Sequence, residues 1–330
     1  MTRPGTAGIG LAHVQGQLLP RLKDVRQELR RIVEADFDLI SMANAHLLQM
    51  QGKMFRPTLV LLADEATGQP HPRAITLAAV VELIHLATLV HDDSVDHSVL
   101  RRGMPTLNAL FSHQVSVIMG DYLYSRAVIE LVRLNDLEPL KILARVTNEM
   151  TIGEMRQLTA HDPLAFTEAE YDLLIRSKTA SLLSGACEVG ALGAEPHARA
   201  ALRRFGDHLG MAFQIIDDLI DYTEEEATTG KPSGSDLREH KVTLPLIHAL
   251  PRLNSDERKV IDELMATAEP SDDLIGEVIA LVTGAGGLGY ARERAQWFCD
   301  QAEAELEALP SSPAREALRM SLAYLLERRS

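Results

Sequence analysis

The segment LIHLATLVHDDSVDHSVLRRGMPT, residues 83–106, joins an apolar helical run to a cluster of acids. Three carboxylates, those of Asp92, Asp93 and Asp96, close the run. Residues four apart lie on one face of a helix, so the side chains of Asp92 and Asp96 are predicted to project together. The segment therefore predicts an apolar helix whose end carries paired carboxylates.

Acids at the carboxyl end of a helix indicate that a cation binds there. The helix dipole leaves partial negative charge at this end, which favours lysine or arginine over aspartate. Oxygen ligands suit hard cations, and Mg²⁺ usually binds one or two carboxylates together with substrate phosphates. This first acidic motif is therefore predicted to hold Mg²⁺ and a phosphorylated substrate.

The same arrangement recurs in FQIIDDLIDY, residues 213–222, where Asp217, Asp218 and Asp221 again close an apolar helical run. A single DDxxD cluster is weak evidence for a metal site, since acidic clusters are mostly solvated helix faces. Two copies with the same spacing, each followed by basic residues, favour a pair of metal-binding motifs.

Composition limits the class of protein. The 330 residues are 46% hydrophobic and 24% charged, which is ordinary for a globular protein with a large core. The net charge of −14 argues against binding to nucleic acid, and an anionic substrate would need local Lys, Arg or metal ions. Two cysteines give no disulfide framework and the N-terminus has no secretory pattern, so a cytoplasmic protein is expected.

Helical periodicity dominates from Gln17 onward, and the sequence shows no alternating strand pattern with hairpin turns. The most apolar stretch, residues 74–90, is interrupted by Glu82 and His85, so a buried core helix is predicted in place of a membrane span. Residues 1–15 are predicted to be flexible, and no linker divides residues 16–330. The fold class is therefore all-α, one domain of long helices near residues 17–33, 37–48, 55–67, 73–97, 105–135, 138–160, 168–190, 198–223, 242–251, 255–267, 271–283, 288–308 and 312–328.

Basic residues accompany both acidic motifs. They fall into four groups: Lys53 and Arg56; Arg101 and Arg102; Lys178 with Thr179; and Lys231 with Lys241. Each group alone could be a solvated surface charge. Lys178 differs because a small and apolar helical face, TASLLSGACEVGALGA, follows it. A cation and a hydroxyl beside an apolar cavity would suit an anion held at the cavity mouth.

Two polar residues share helical faces with the acids. His85 lies seven residues before Asp92, and Gln214 lies three residues before Asp217. Each has a structural alternative, which is a core histidine for His85 and a buried amide bonded to backbone for Gln214. Their positions favour contact with substrate.

The sequence resembles the all-trans isoprenyl diphosphate synthases of the polyprenyl synthetase family from about Gln17 to its end. The resemblance rests on GKMFRP at 52–57, HDDSVD at 91–96, RRGMPT at 101–106, GDYLYSRA at 120–127, KTA at 178–180, FQIIDDLIDY at 213–222, GKPSGSDLREHKVTLP at 230–245 and GGLGYARERA at 286–295. Three positions depart from the family pattern. Gln51 replaces a glycine, Met54 stands where arginine is common, and His240 stands where a glycine precedes the last lysine.

The resemblance implies the isoprenoid synthase fold, a bundle of long antiparallel helices around a deep apolar cavity, usually in a homodimer. It implies that the two aspartate motifs face each other across the cavity mouth and hold three Mg²⁺ ions on the diphosphate of an allylic substrate. The implied partners are isopentenyl diphosphate and an allylic prenyl diphosphate, with no nucleic acid and at most peripheral membrane contact through the product.

Residue roles follow from the resemblance, motif by motif. The direct metal ligands would be Asp92, Asp96 and Asp217. Further ligands, or residues that support the ligands, would be Asp93, Asp218 and Asp221. Isopentenyl diphosphate would be bound by Lys53, Arg56, His85 and Arg102. The allylic diphosphate would be bound by Arg101, Lys178, Thr179, Gln214, Lys231 and Lys241, and the developing carbocation would face Thr179 and Gln214.

The implied reaction is ionisation, condensation and elimination. Metal ions and basic side chains neutralise the diphosphate so that it can leave, and an aliphatic cavity keeps water away from the allylic cation. The isopentenyl double bond attacks that cation, and the departing diphosphate removes the final proton.

Product length is implied by the helix that ends in Asp92. Ala87 and Thr88, just beneath the diphosphate site, are small, and Ile84 and Val81 further down are aliphatic. Short-chain relatives tend to place bulky or aromatic residues near the first two positions, and bacterial ones commonly carry a two-residue insertion in the first motif. The expected product is therefore C30 or above, made from a farnesyl or geranylgeranyl type of primer, as for a quinone side chain.

Three alternatives remain open. A short-chain synthase, with a C15–C20 product, would use the same motifs. A class I terpene cyclase would need no isopentenyl diphosphate site and usually mixes Asn, Ser or Thr into its second motif, which is intact here. A non-catalytic subunit of a heteromeric synthase tends to lose the acidic motifs, and this chain keeps both.

Overall fold

The structure is a computed structural model that describes residues 10–50, 52–68, 70–158, 163–223 and 234–327. These residues are almost entirely helical, which confirms the all-α class. The helices are α1 (Leu11–Gln15), α2 (Leu19–Val33), α3 (Asp38–Gln49), α4 (Phe55–Ala66), α5 (Ala74–Val95), α6 (Leu107–Leu110), α7 (His113–Arg133), α8 (Leu137–Leu158), α9 (Glu168–Ile175), α10 (Ser181–Gly190), α11 (Pro196–Thr223), α12 (Ser235–Arg238), α13 (Leu244–Ala249), α14 (Ser255–Ala266), α15 (Asp272–Gly284), α16 (Gly287–Glu305) and α17 (Pro313–Leu326).

The described residues fall into two compact units. The first lies within residues 1–148, 182–206 and 305–321, and the second within residues 149–181, 207–304 and 322–330. The first acidic motif belongs to the first unit and the second motif to the second unit. The single domain predicted over residues 16–330 stays a prediction.

The first unit is organised around α5, which packs against α2, α4 and α7. Its residues Leu77, Val80 and Leu83 are completely buried, and burial of each such side chain contributes about 1.5–3 kcal/mol. A helix that is apolar on all sides is stable only when other elements enclose it. α5 is long and apolar enough to cross a membrane, since an 18-residue stretch of it has a mean hydropathy of 1.8. However, 67% of that stretch is buried inside the protein. The predicted core helix is therefore confirmed.

The second unit has a core of its own. Leu237 of α12, Leu246 of α13, Ile261 of α14 and Val278 of α15 are fully buried in it. Tyr222, the last residue of the second acidic motif, is 4% exposed and packs into the same cluster. This core therefore anchors the end of α11. Taken together, α15 and the helical residues 287–308 are also long and apolar enough to cross a membrane. The two segments are bent by 63° relative to each other.

Several predicted boundaries are corrected by local backbone geometry. The continuous helix predicted over 105–135 is not found. A small hairpin of strands β1 (Leu100–Arg101) and β2 (Met104–Pro105) includes its first residue, the short helix α6 follows, and only then does α7 begin. The hairpin turn has φ +52° at Arg102 and +73° at Gly103, the two positive values of a type I′ turn. Strands of two residues are too short to show an alternating pattern.

The N-terminal prediction also needs a correction. Residues 11–15, assigned to a flexible segment, form α1, because Val14 is completely buried and the side chain of Gln15 is tied down. Its amide nitrogen donates to the carbonyl of Lys53 at 2.7 Å and to the hydroxyl of Thr58 at 2.9 Å. Residues 1–9 of the predicted flexible segment lie outside the described residues.

Candidate active site

The first acidic motif closes α5. Asp92 is half-buried, Asp93 is 4% exposed and Asp96 is exposed, and the backbone N–H of Asp96 donates to the carbonyl of Asp92 at 2.8 Å. The Asp93 carboxylate is paired with Arg101, whose Nε and Nη2 lie 2.7–2.9 Å from its oxygens. Asp93 therefore supports the motif through an ion pair, which leaves Asp92 and Asp96 as the carboxylates on its outer side. Binding of diphosphate by Arg101 stays a prediction.

His91 is a residue of this motif that sequence reasoning did not single out. Its Nε2 lies 3.2 Å from the carbonyl of Val117 and 3.4 Å from the carboxylate of Asp121 on α7. A Cβ atom at Gly120 would lie 2.2 Å from the same ring nitrogen, so only glycine allows this approach. The GDYLYSRA segment, quoted above without a role, therefore packs against His91, the residue before Asp92.

The basic residues of the first unit converge beside α5. Nη1 of Arg56 donates to Nε2 of His85 at 3.0 Å. Arg102, at the hairpin turn, donates to the carbonyl of Met50 at 2.7 Å and lies against the backbone of Gly52. Lys53 follows Gly52 in the chain and is exposed. The structure thus brings together the groups predicted to bind isopentenyl diphosphate.

Glu82 adds a buried carboxylate to this cluster, and the sequence analysis noted it only as an interruption of an apolar run. It is 4% exposed; burial raises its pKa, whereas the charges of Arg56 and Arg102 lower it. Burial, followed by Arg56 and Arg102, holds the pKa of His85 well below its usual range. His85 is therefore a neutral imidazole whose Nε2 accepts a hydrogen bond from Arg56, because a guanidinium can only donate.

The predicted chain-length residues lie on α5 in the interior of the first unit. Val81, Ile84 and Ala87 are at most 2% exposed, and the hydroxyl of Thr88 donates to the carbonyl of His85 at 2.8 Å. A small cavity lies beside Ile84, one helical turn from Ala87. Its other lining residues come from α7 and α8: Tyr124, Ala127, Val128, Leu131, Leu140, Leu143, Ala144 and Thr147.

In the second unit, Asp218 is the centre of a hydrogen-bond chain. Tyr171 donates its hydroxyl to one oxygen of Asp218 at 2.6 Å, and the amide nitrogen of Gln214 donates to the other at 2.8 Å. The hydroxyl of Thr179 donates to the amide oxygen of Gln214 at 2.7 Å. The structure thus places Thr179 beside Gln214 and adds Tyr171, which sequence reasoning missed, while contact of Thr179 and Gln214 with the cation stays a prediction.

The remaining acids of the second motif differ in role. Asp217 is exposed, and its role as a metal ligand stays a prediction. The carboxylate of Asp221 accepts the backbone N–H groups of Ser235 at 3.1 Å and Asp236 at 3.0 Å, and so it caps the N-terminus of α12. Of the two predicted roles for Asp221, binding metal or supporting the ligands, the geometry favours support.

Negative charge accumulates around Asp218. Burial raises the pKa of Asp218 well above its usual range, while its hydrogen bonds from Tyr171 and Gln214 act in the opposite direction. Burial and the neighbouring Asp221 raise the pKa of Asp236 to about 7. Burial and Asp218 raise the pKa of Tyr171, so its phenol keeps its proton and acts as a donor. Carboxylates with perturbed pKa values are common at functional sites.

Lys178 lies in a π-helical turn, Arg176–Ala180, that joins α9 to α10 and interrupts the predicted helix 168–190. Such turns are frequent at functional sites because they redirect side chains. The Nζ of Lys178 lies 2.9 Å from Glu154 and 3.0 Å from the amide oxygen of Gln157. Its ammonium group is therefore oriented by two neighbours on α8.

The loop after the second motif is described only in part. Lys231 lies outside the described residues. Lys241 pairs with Glu239, and its backbone N–H donates to the carbonyl of Asp236 at 2.8 Å. His240 has φ +55°, the left-handed conformation that glycine adopts without strain. The departure at His240 is thus accommodated by the same backbone conformation that a glycine would favour.

The described residues contain no group of three His, Cys, Asp or Glu side chains arranged to hold a metal ion by themselves. Mg²⁺ is commonly bound by one or two carboxylates and completed by substrate phosphates and water. Asp92 and Asp96 in the first unit, and Asp217 in the second, are carboxylates of this kind at helix ends. The donor set therefore fits a cation that arrives with a diphosphate.

Three comparisons with known proteins agree with this chemistry. The polyprenyl synthetase family model matches residues 38–282. An all-trans-nonaprenyl-diphosphate synthase (geranyl-diphosphate specific) of Rhodobacter capsulatus is 43% identical over 282 residues, 85% of this chain and 86% of that protein.

Two crystal structures are similar over nearly their whole length. One is a decaprenyl diphosphate synthase from Rhodobacter capsulatus, with a TM-score of 0.90 and 37% identity over 96% of this chain and 98% of that one. The other is a polyprenyl synthase from Caulobacter crescentus CB15 complexed with calcium and isoprenyl diphosphate, with a TM-score of 0.92 and 34% identity over 99% and 100%.

Proposed function

The chain belongs to the polyprenyl synthetase family, and from this premise we propose that it condenses isopentenyl diphosphate with an allylic diphosphate to give a long-chain, all-trans polyprenyl diphosphate. The observation that carries the proposal is the composition of α5 and its neighbours. Paired carboxylates, Asp92 and Asp96, end the helix, and a separate basic cluster of Arg56, His85 and Arg102 lies two turns earlier. One unit thus has the groups for a metal-bound diphosphate and for a metal-free one.

The chain's own residues divide the work of the reaction. Asp92, Asp96 and Asp217 would hold Mg²⁺, which when bound neutralises the allylic diphosphate as a leaving group. Lys178 donates to oxygens of the same group. The allylic C–O bond breaks with its electron pair on the diphosphate, and the isopentenyl double bond forms the new C–C bond. Loss of a proton to the departing diphosphate then restores a double bond.

The other residues bind and orient. Lys53, Arg56 and Arg102 hold isopentenyl diphosphate by charge, and neutral His85 orients Arg56. The oxygens of Thr179 and Gln214 face the cation and stabilise its charge. Three Mg²⁺ ions, the number that the resemblance implies, remain part of the proposal, supported by the calcium in the Caulobacter crescentus complex.

A long product is supported by the interior of the first unit. Ala87 and Ile84, one turn apart on α5, are both buried and neither is bulky or aromatic. One relative is named as a nonaprenyl diphosphate synthase and another as a decaprenyl diphosphate synthase, and both of these products are long-chain. We therefore propose a product of C30 or above, made in the cytoplasm, with membrane contact limited to the product itself.

A homodimer is supported by an exposed apolar stripe on α7. Ile118, Ile129 and Val132 are 62%, 40% and 61% exposed, and their spacing places them on one helical face, with Val117 and Tyr124 beside them. Exposed apolar side chains that share one helical face are common at protein interfaces, and two copies of one face suit two-fold symmetry. Sedimentation of the purified protein tests this, and a monomer at micromolar concentration would contradict it.

The experiment that tests the activity is incubation of the purified protein with Mg²⁺, labelled isopentenyl diphosphate and farnesyl or geranylgeranyl diphosphate, followed by chromatography. Elongated prenyl diphosphates support the proposal, and their length separates long-chain from short-chain synthases. A cyclic hydrocarbon made without isopentenyl diphosphate would indicate a terpene cyclase. Complete inactivity of the protein alone would indicate a subunit that needs a partner.

A further inference from the structure

We propose that Tyr171 is a positioning residue that acts through Asp218 and Gln214 to fix the direction in which the Thr179 hydroxyl points. The inference rests on the proposed function, since it concerns the residues that face the cation. It assigns a role to a side chain that belongs to none of the motifs by which the family resemblance was found.

The geometry is a continuous chain of four side chains in the second unit. Tyr171 and Asp218 are 2% and 5% exposed, and the three hydrogen bonds that link Tyr171, Asp218, Gln214 and Thr179 measure 2.6, 2.8 and 2.7 Å. Within the described part of the chain, the donors to the Asp218 side chain are Tyr171 and Gln214. Each oxygen of this buried carboxylate therefore has one donor.

The direction of the chain follows from what each group can donate. Gln214 turns its NH₂ group to Asp218, whose Oδ1 accepts from it at 2.8 Å. Its carbonyl oxygen then faces Thr179, and the single hydroxyl proton of Thr179 is donated to that oxygen. The lone pairs of the Thr179 hydroxyl oxygen then remain available to other groups. A chain with this direction ends in electron-rich oxygen, which stabilises a neighbouring cation.

Loss of the Tyr171 hydroxyl would remove this constraint. One oxygen of a buried carboxylate would lose its donor, at a substantial free-energy cost, and Asp218 would move to recover a partner. Gln214 would follow Asp218, because its NH₂ group still needs that acceptor, and its carbonyl oxygen would leave its position 2.7 Å from the Thr179 hydroxyl. Thr179 would then lose the acceptor that fixes the direction of its proton.

Tyr171 itself is held rigidly by the surroundings of α9. Thr167 and Glu170 form a reciprocal cap at the start of this helix, with bonds of 2.8 and 3.3 Å. On α16, Tyr290 donates to Glu168 at 2.7 Å and Arg294 to Asp172 at 2.9 Å. Contacts on both sides of Tyr171 in the sequence therefore fix the helix that carries its hydroxyl.

The first test is Tyr171→Phe, which keeps the ring and removes only the hydroxyl. We expect kcat to fall about tenfold while the KM values of both substrates change less than about twofold, because the interaction acts on the transition state and not on binding. Tyr324→Phe is the matched control. Tyr324 lies on α17 in the same unit, outside the chain of four residues and outside both acidic motifs. Its kcat should stay near the wild-type value.

The decisive test is a double-mutant cycle with Thr179→Val, which removes the hydroxyl that Tyr171 is inferred to orient. Adding Tyr171→Phe to Thr179→Val should lower kcat no further. If the two effects multiply, or if Tyr171→Phe leaves kcat unchanged, the inference is wrong. Kinetics are measured at a temperature at which circular dichroism shows every variant to be folded.

Asp218→Asn gives a second route if Tyr171→Phe does not fold. An asparagine can present either an oxygen or an NH₂ group to Gln214, so its loss of kcat should also disappear in the Thr179→Val background. A loss that persists there would overturn the inference. An inactive wild-type enzyme would instead contradict the proposed function, so the two failures are distinguishable.

Discussion

Nε2 of His91 lies only 2.2 Å from the position that a Cβ atom would take at Gly120. The residue before Asp92 therefore packs directly on the backbone of Gly120. Gly120→Ala should push the ring away from the carbonyl of Val117 and displace the end of α5. We expect the free energy of unfolding to fall by about 1–3 kcal/mol, as in other overpacked sites, and activity to fall as well.

Chemical denaturation and steady-state kinetics measure both effects of Gly120→Ala. Gly276→Ala is the control, because Gly276 lies inside α15 and a Cβ there meets nothing within 4 Å. That change should stabilise the protein by up to about 1 kcal/mol, the helix propensity of alanine over glycine. His91→Ala should restore stability to Gly120→Ala, and a double variant as unstable as Gly120→Ala would contradict the proposed contact.

The carboxylates at the two helix ends should be essential for turnover but not for folding. Asp92→Ala and Asp217→Ala remove candidate metal ligands, and loss of such a ligand costs several kcal/mol of transition-state stabilisation, so kcat should fall by orders of magnitude. Asp262→Ala, on an exposed position of α14, is the matched control. EDTA should abolish activity and excess Mg²⁺ restore it. Near-normal activity in either variant would refute the assignment of that ligand.

The basic residues should separate the two substrates. Lys53→Ala and Arg56→Ala should raise the KM of isopentenyl diphosphate far more than that of the allylic primer, because both belong to the cluster around His85. Lys178→Ala should mainly lower kcat, since its ammonium group would act on charge that develops on the leaving group. Varying each substrate in turn measures the split, and equal effects on both substrates in all three variants would mean that the two sites are wrongly assigned.

His85 should make the stability of the protein without substrate depend on pH. Burial and the nearby Arg56, Arg102 and Arg101 hold its pKa well below 6.5, and the buried Glu82 lies close enough to Arg56 and Arg102 to feel their charge. Below pH 6.5 the unfolded chain therefore binds a proton that the folded chain does not, and stability is lost as the pH falls, by up to about 1.4 kcal/mol per pH unit.

His85→Asn should remove this contribution, and urea unfolding at pH 7.5 and 5.5 measures it. The variant should lose less stability than the wild type between the two values. An equal loss in both proteins would show that His85 is not kept neutral by its surroundings.

Local patterns in the sequence were sufficient to predict α5 as a buried helix and to place an acidic motif at the end of an apolar helix in each unit. Contacts between residues far apart in the chain were not. Tyr171 lies 47 residues from Asp218, and no spacing rule connects them. The π turn at Lys178 and the type I′ turn at Arg102 depend on backbone angles that a helical pattern does not encode. Glu82 was visible as a charge in an apolar run, but its partners were not.

Product length should depend on the volume of the side chain at position 87. Ala87 is 2% exposed on α5, one turn from Ile84 and the cavity that Ile84 lines. If the growing chain runs along this side of α5, Ala87→Phe should shorten the product to about C15–C20 while turnover survives, because the acidic motif is untouched.

A graded series tests this without relying on one bulky variant that could fail to fold. Ala87→Val, Ala87→Leu and Ala87→Phe should give successively shorter products, as measured by reversed-phase chromatography of the dephosphorylated alcohols. Ile84→Ala, which enlarges the cavity one turn further down, should not shorten the product. The competing explanation is that Ala87 is small only so that α5 can pack against α7. In that case each larger side chain should lower the unfolding temperature while the product keeps its wild-type length, and position 87 would have no part in setting chain length.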